Sequence, residues 1–182
     1  MSTNPTPANG KIRLATVWLD GCSGCHMSLL DTDERLIELA KRVEVVWGPL
    51  VDMKEFPENV DVTLVEGAVS SEEDLHRIAL VRSRSKILVS LGDCAITGNV
   101  PAMRNKFGVD AILRRAYLEN GTLDATIPRQ VIPALLPNAR PVHELAPVDV
   151  FIPGCPPSAD LIFSVLSELL EGRMPNPAAK FG

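Results

Sequence analysis

The chain has 182 residues, enough for one domain that buries about 70% of its unfolded surface without disulfide staples. Its 46% hydrophobic and 23% charged residues exclude global disorder. A net charge of −5 and only 4% aromatic residues argue against nucleic-acid binding, and no apolar run approaches the roughly 20 residues of a membrane-spanning helix.

Residues 1–10 are rich in Pro, Asn and Thr, with no basic or apolar export signal, and are expected to form a flexible arm. Cytoplasm is therefore the expected compartment. In that reducing setting four cysteines point to metal ligation or redox chemistry rather than to disulfides. The folded domain is expected over 11–174, with a tail over 175–182.

Strands are predicted at Ile12–Leu19, Val43–Trp47, Val60–Val65, Lys86–Leu91 and Val148–Ile152. A helical stretch runs from about Ser23 to Arg42, and Asp31-Thr32-Asp33 is placed to break it and to cap a second helix. Ser70 and Glu73 have the spacing of a capping box, opening a helix with Leu75, Ile78 and Ala79 on one face. The last helix starts at Ser158, carries Leu161, Ile162, Val165, Leu166, Leu169 and Leu170 as a stripe, and stops at Gly172. Short β-branched runs alternating with helices predict an α/β fold, a parallel sheet wound on both faces. Residues 118–147 read as a long loop. Eight of the 15 prolines fall between Pro128 and Pro157, and so long a loop inside a domain is usually functional.

Cys22 and Cys25 follow the first predicted strand, Cys94 the fourth and Cys155 the fifth. All four sit at carboxyl ends of strands, the edge where open α/β sheets bind ligands. Each lies among turn residues: Gly21-Cys22-Ser23-Gly24-Cys25, Gly92-Asp93-Cys94 and Pro153-Gly154-Cys155-Pro156-Pro157. Glycines let backbone amides approach a bulky inorganic group, and proline stiffens the loop. Small buried thiols explain such flanks poorly. A C-x-x-C dithiol enzyme uses Cys22 and Cys25 but leaves Cys94 and Cys155 without a role. Structural zinc usually takes two closely spaced pairs. One pair with two distant single cysteines suits a [4Fe–4S] cluster seated on the sheet edge better.

Taken with Val65-Glu66-Gly67-Ala68 and the runs Leu19–Ser28, Gly92–Pro101 and Ile152–Pro157, these loops resemble the small, electron-transfer subunit of [NiFe] hydrogenases. The resemblance covers about residues 11–172. It implies a flavodoxin-like domain whose Cys22, Cys25, Cys94 and Cys155 hold the proximal [4Fe–4S] cluster, near a Ni–Fe centre on a separate large subunit. The quinone-proximal cluster subunit of respiratory complex I shares this cradle but resembles an adjacent Cys-Cys pair at the first two ligands, so Cys-x-x-Cys favours hydrogenase. Respiratory small subunits carry a twin-arginine leader and a C-terminal domain for two more clusters. This sequence shows neither and ends 27 residues after Cys155, which leads to the expectation of one cluster only. That form resembles the small subunit of cytoplasmic, bidirectional NAD-reducing hydrogenases, whose Fe–S and flavin diaphorase subunits pass electrons to NAD. The small subunit of cytoplasmic archaeal hydrogenases is a rival within the class, and a stand-alone dithiol oxidoreductase is the alternative from another class. In the favoured reading the chain is part of an enzyme and carries no catalytic residue of its own.

Asp20, Glu66 and Asp93 fall at strand ends beside the cysteines. Such carboxylates are ordinarily solvated or cap helices, and the sharper reading makes Glu66 a proton relay at the rim facing the large subunit. His26 is expected to pack or to hydrogen-bond, and His76 and His143 to be structural or solvated. Arg104, Lys106, Arg114 and Arg115 form a basic patch, either solvated or paired with a partner's carboxylates. Ser23 and Thr97 could serve a flavin phosphate, but FMN is not expected here because Cys22 and Cys25 take the first loop.

Overall fold

The computed structural model describes residues 10–175 and 177. The expected arm, apart from Gly10, and most of the expected tail lie outside the described residues. Five strands form one parallel sheet: β1 (Ile12–Trp18), β2 (Val43–Trp47), β3 (Val60–Glu66), β5 (Ser85–Leu91) and β7 (Val150–Ile152). Their order is β2-β1-β3-β5-β7, so the chain winds one way from β1 to β2 and the other way from β3 onward. This is the flavodoxin-like order, with the reversal between β1 and β3.

Alternation along each strand gives both faces an apolar layer. On one face Leu14, Val62 and Leu64 pack under helices α1 (Gly24–Leu30), α2 (Arg35–Arg42) and α7 (Ala159–Leu170), which contribute Leu29, Leu39, Ile162, Val165 and Leu166. On the other, Ala15, Val17, Val65 and Leu88 pack under α3 (Glu72–Arg84), through Ile78 and Val81. The expected break between the first two helices is present at Asp31–Glu34. Thr32 is buried there, and its hydroxyl donates to the Leu29 carbonyl at 2.8 Å. The expected cap is absent, because α2 begins after Glu34 with no side-chain bond to its first turn.

Two further expectations shift. The capping box on α3 is Ser71 with Asp74, one residue later than the Ser70–Glu73 pair. A short strand, β4 (Val69–Ser71), precedes the helix, the Ser70 hydroxyl is taken by Asp20, and Glu73 pairs with Arg77 instead. The helix accordingly buries Ile78 and Val81 and leaves Leu75 and Ala79 exposed. Second, residues 118–147 are not all loop. Leu135–Arg140 forms β6, antiparallel to β4, with Val69 opposite Arg140 and Ser71 opposite Leu135. A two-stranded ribbon is all edge, which is where a strand tolerates a residue such as Pro137. Between β5 and β6 the chain also makes α4 (Asp93–Thr97), α5 (Asn99–Ala102) and α6 (Val109–Leu113), for which the sequence pattern carries no clear signal.

Arg104 ties the ribbon down. Its guanidinium donates to the carbonyls of Ser70 at 3.1 Å and Leu136 at 3.0 Å, one from each strand, so it is not the free docking charge of a basic patch. Arg104→Met keeps the stem but leaves those carbonyls unpaired. It should cost about 1–3 kcal/mol in urea unfolding and speed proteolytic cleavage within 120–134; unchanged stability and cleavage would contradict this role.

Candidate metal centre

Every cysteine loop leaves the carboxyl end of a parallel strand. Cys22 lies in the turn after β1, Cys25 in the first turn of α1, Cys94 in the first turn of α4 after β5, and Cys155 in the turn after β7. All four thiols are free; Cys25 and Cys94 are buried, Cys22 and Cys155 exposed. Burial is the first cause pushing the Cys25 thiol far above its usual range, followed by the charges of Glu66, Cys94, Cys22 and Cys155. Burial also raises Cys94, against a hydrogen bond from the Val100 N–H that lowers it, with Cys155, Cys22 and Glu66 adding to the rise. Such mutual influence needs the four sulfurs at one locality. A group that bound them all as thiolates would displace those protons.

The backbone around the sulfurs is fitted to them. Gly92 has φ of 81°, and a Cβ there would sit 2.2 Å from the Cys25 sulfur. No side chain fits at that point. The Asp93 N–H donates to the Gly154 carbonyl at 2.9 Å, and the Gly154 N–H donates back to Asp93 Oδ1 at 2.8 Å. Gly92 N–H reaches the Ile152 carbonyl at 2.8 Å, so the Cys94 and Cys155 loops are laced together. The Ser28 hydroxyl donates to the Pro157 carbonyl at 2.5 Å and draws α1 onto the same loop.

Among the described residues, no group of three or more Cys, His, Asp or Glu side chains closes around a point fit for one metal ion. A mononuclear zinc site thus has no support in the geometry. Four thiols sharing one edge without converging on a point suit a larger inorganic group that takes one thiolate at each iron corner. The donor chemistry and the glycine-lined space fit a cluster.

Of the three carboxylates Asp20 is exposed, while Glu66 and Asp93 are buried rather than solvated. Glu66, at the end of β3, is 1% exposed. Its Oε2 accepts the His26 backbone N–H at 2.9 Å and contacts the His26 ring at Nδ1, while Oε1 accepts the Cys25 N–H at 3.4 Å. Burial alone would raise this carboxyl, but the His26 ring and the two N–H donors hold it below its usual value. Glu66 thus lies beneath the cysteine loop rather than at its rim, anchoring the first turn of α1. His26 packs against Trp18 with ring centroids 5.3 Å apart, as a packing and hydrogen-bonding residue should. Asp20 accepts from Ser70, and Asp93 is the buried clasp just described.

Other residues read from the sequence stand apart. His76 and His143 are exposed, His143 edge-on to Phe151. Lys106, Arg114 and Arg115 are exposed, and Arg115 pairs with Glu119. The Thr97 hydroxyl donates to the Asp93 carbonyl, and Ser23 is the residue before α1, with φ of 69°. Sequence reading missed Asn99, whose side-chain nitrogen lies 3.3 Å from the Cys155 sulfur. The signal was Gly98-Asn99, a pair suited to positive φ just past the Cys94 helix.

The family described as NADH ubiquinone oxidoreductase, 20 Kd subunit, matches residues 22–169. The delta subunit of the NAD-reducing hydrogenase HoxS of Cupriavidus necator is 44% identical over 169 residues, covering 90% of this chain and 81% of that subunit. The chain belongs to this family, among the hydrogenase small subunits. A subunit of the vhu F420-non-reducing hydrogenase of Methanocaldococcus jannaschii is 37% identical over 171 residues, which are 93% of this chain and 59% of that relative. A solved NAD+-reducing [NiFe]-hydrogenase in the H2-reduced state contains a chain that superposes with a TM-score of 0.90 at 39% identity, covering 94% of this chain and 99% of that one. The fold is shared with the [NiFeSe]-hydrogenase of Desulfomicrobium baculatum, at a TM-score of 0.60 and 19% identity. The resemblance drawn from the cysteine loops is borne out by sequence and fold together.

Glu66→Gln keeps the shape of the anchor but replaces one accepting oxygen with a donor that faces donors. It should lower unfolding stability by about 1–3 kcal/mol at neutral pH. Because the folded carboxyl is held low, that stability is present above the ordinary carboxylate range and lost as pH falls through the lowered value. The gap between wild type and variant should therefore narrow on acidification, as followed by denaturant titration; a gap that widens would contradict the anchor.

Proposed function

We propose that this chain is the electron-relay small subunit of a cytoplasmic NAD-reducing [NiFe] hydrogenase. Its single [4Fe–4S] cluster is held by Cys22, Cys25, Cys94 and Cys155. The observation that supports this is that three strand-end loops bring four free thiols to one edge of the sheet, with Gly92 leaving no room for a side chain beside the Cys25 sulfur. The bound cluster supplies one-electron transfer. The chain's own residues present four thiolates, keep two of them from water and fix the loops through Asp93 and Glu66.

Hydrogen activation belongs, in this reading, to a Ni–Fe large subunit, and NAD reduction to Fe–S and flavin diaphorase subunits. A covering partner is supported by exposed apolar side chains close in sequence to the cysteines: Trp18, Met27, Val100, Met103 and Phe151. Large apolar side chains left exposed beside a site ordinarily mark an interface. No helix among the described residues is long and apolar enough to cross a membrane. A burial seam between subunits lowers the local dielectric and, with hydrogen bonds to sulfur, sets the potential.

A second role for Glu66, carrying protons, is favoured by the buried Nε2 of its neighbour His26, which has no hydrogen-bond partner among the described residues. In that case turnover of the assembled Glu66→Gln complex falls by more than about tenfold at unchanged cluster content.

The ligand set separates this function from a dithiol oxidoreductase. Cys94→Ser and Cys155→Ser should each lose or convert the cluster and abolish hydrogen-dependent NAD reduction in the purified complex. A dithiol enzyme built on Cys22 and Cys25 would tolerate both changes. An undiminished four-iron signal in both variants would rule the assignment out.

A further inference from the structure

We propose that Asn99 sets the reduction potential of the cluster by donating its side-chain N–H to the sulfur of Cys155. The inference rests on the ligand assignment above and deepens it.

The turn Gly98-Asn99-Val100 follows the helix that carries Cys94 and faces the loop that carries Cys155. Gly98 has φ of 82° and Asn99 of 28°, a left-handed excursion that asparagine tolerates better than most side chains. This excursion carries the Asn99 side chain across the gap between the two loops, leaving Nδ2 3.3 Å from the Cys155 sulfur. A thiolate can only accept, so the amide presents its nitrogen rather than its oxygen. The next residue, Val100, gives its backbone N–H to the Cys94 sulfur. Two consecutive residues thus serve two ligands that follow separate strands, one through the main chain and one through a side chain.

The two donors differ in what evolution or an experimenter can change. Any residue except proline supplies the Val100 N–H, whereas the bond to Cys155 depends on the side chain at 99. Cys155 is exposed in the isolated chain, so water competes for its lone pairs there. Once a partner covers that edge, the amide becomes a donor in low dielectric, where a hydrogen bond to charge is stronger. Reduction adds an electron shared with the sulfurs. A donor stabilises the reduced form more than the oxidised one, and its loss makes the cluster harder to reduce.

The test is an EPR-monitored redox titration of the purified multi-subunit complex, with iron and sulfide counted in each sample. Asn99→Gly accepts the positive φ and removes the donor. Asn99→Asp keeps the shape and turns a carboxylate toward the sulfur. At the wild-type midpoint the reduced-to-oxidised ratio should fall about tenfold in Asn99→Gly, a shift of about 59 mV to lower potential for a one-electron couple. Asn99→Asp should shift further in the same direction. Midpoints equal to wild type in both variants at full iron content would overturn the inference and leave the ligand set standing. Loss of iron in both variants, with the remaining cluster titrating at the wild-type midpoint, would also overturn it and make Asn99 a structural residue. A wild-type complex with no iron assignable to this chain would instead bring down the ligand assignment itself.

Discussion

Asp93 holds together two loops that arrive from different strands. Its main-chain N–H and its carboxylate clasp the two sides of Gly154, 61 residues away, in a buried environment. A buried carboxylate is costly unless its oxygens are hydrogen-bonded, so the clasp is stable only in the geometry that pairs it. That geometry sets how far Cys94 stands from Cys155. With the Gly92 bond to Ile152, it also extends the β5–β7 ladder, the Asp93–Gly154 bond lying beyond the end of both strands. The rigid sheet thereby reaches up to the sulfurs. A redox group that must change charge without changing shape benefits from such a support.

Glu66 does for the other pair what Asp93 does for these. It sits at the end of β3, directly across the β1–β3 reversal, and receives the N–H groups of Cys25 and His26. Two buried carboxylates therefore brace the cradle from beneath, each accepting main-chain donors that would otherwise be orphaned at a helix start or in a turn. Glu66 also places negative charge near the thiols and raises both Cys25 and Cys94. The Val100 N–H acts in the opposite sense on Cys94. In the proposed function, buried carboxylates and amide donors around the thiols would act in opposite senses on the potential of the cluster.

How much of this was legible in the sequence depends on the range of the interaction. The five sheet strands and the helix break at Thr32 are written in local patterns, β-branched runs and short polar interruptions. The cysteine loops are equally local, since turn residues flank each thiol. The ribbon β4–β6 was not legible, because Val69 meets Arg140 across 71 positions and proline interrupts the partner strand. That same ribbon displaced the α3 cap by one residue. Glu66 and Asp93 look like surface carboxylates in one dimension. Only the fold shows the main-chain donors that bury them. Arg104 looked like a free charge for the same reason: its partners are carbonyls of strands the sequence did not reveal.

Everything above turns on four thiols from three loops binding one cubane. Mössbauer spectroscopy of the complex labelled with iron-57, with iron and sulfide counted after anaerobic purification of this chain, tests it most directly. The expected result is about four irons and four sulfides per chain and a single family of tetrahedral, thiolate-ligated iron sites. Zinc in place of iron, or a chain that purifies free of metal with Cys22 and Cys25 joined as a disulfide, would contradict it.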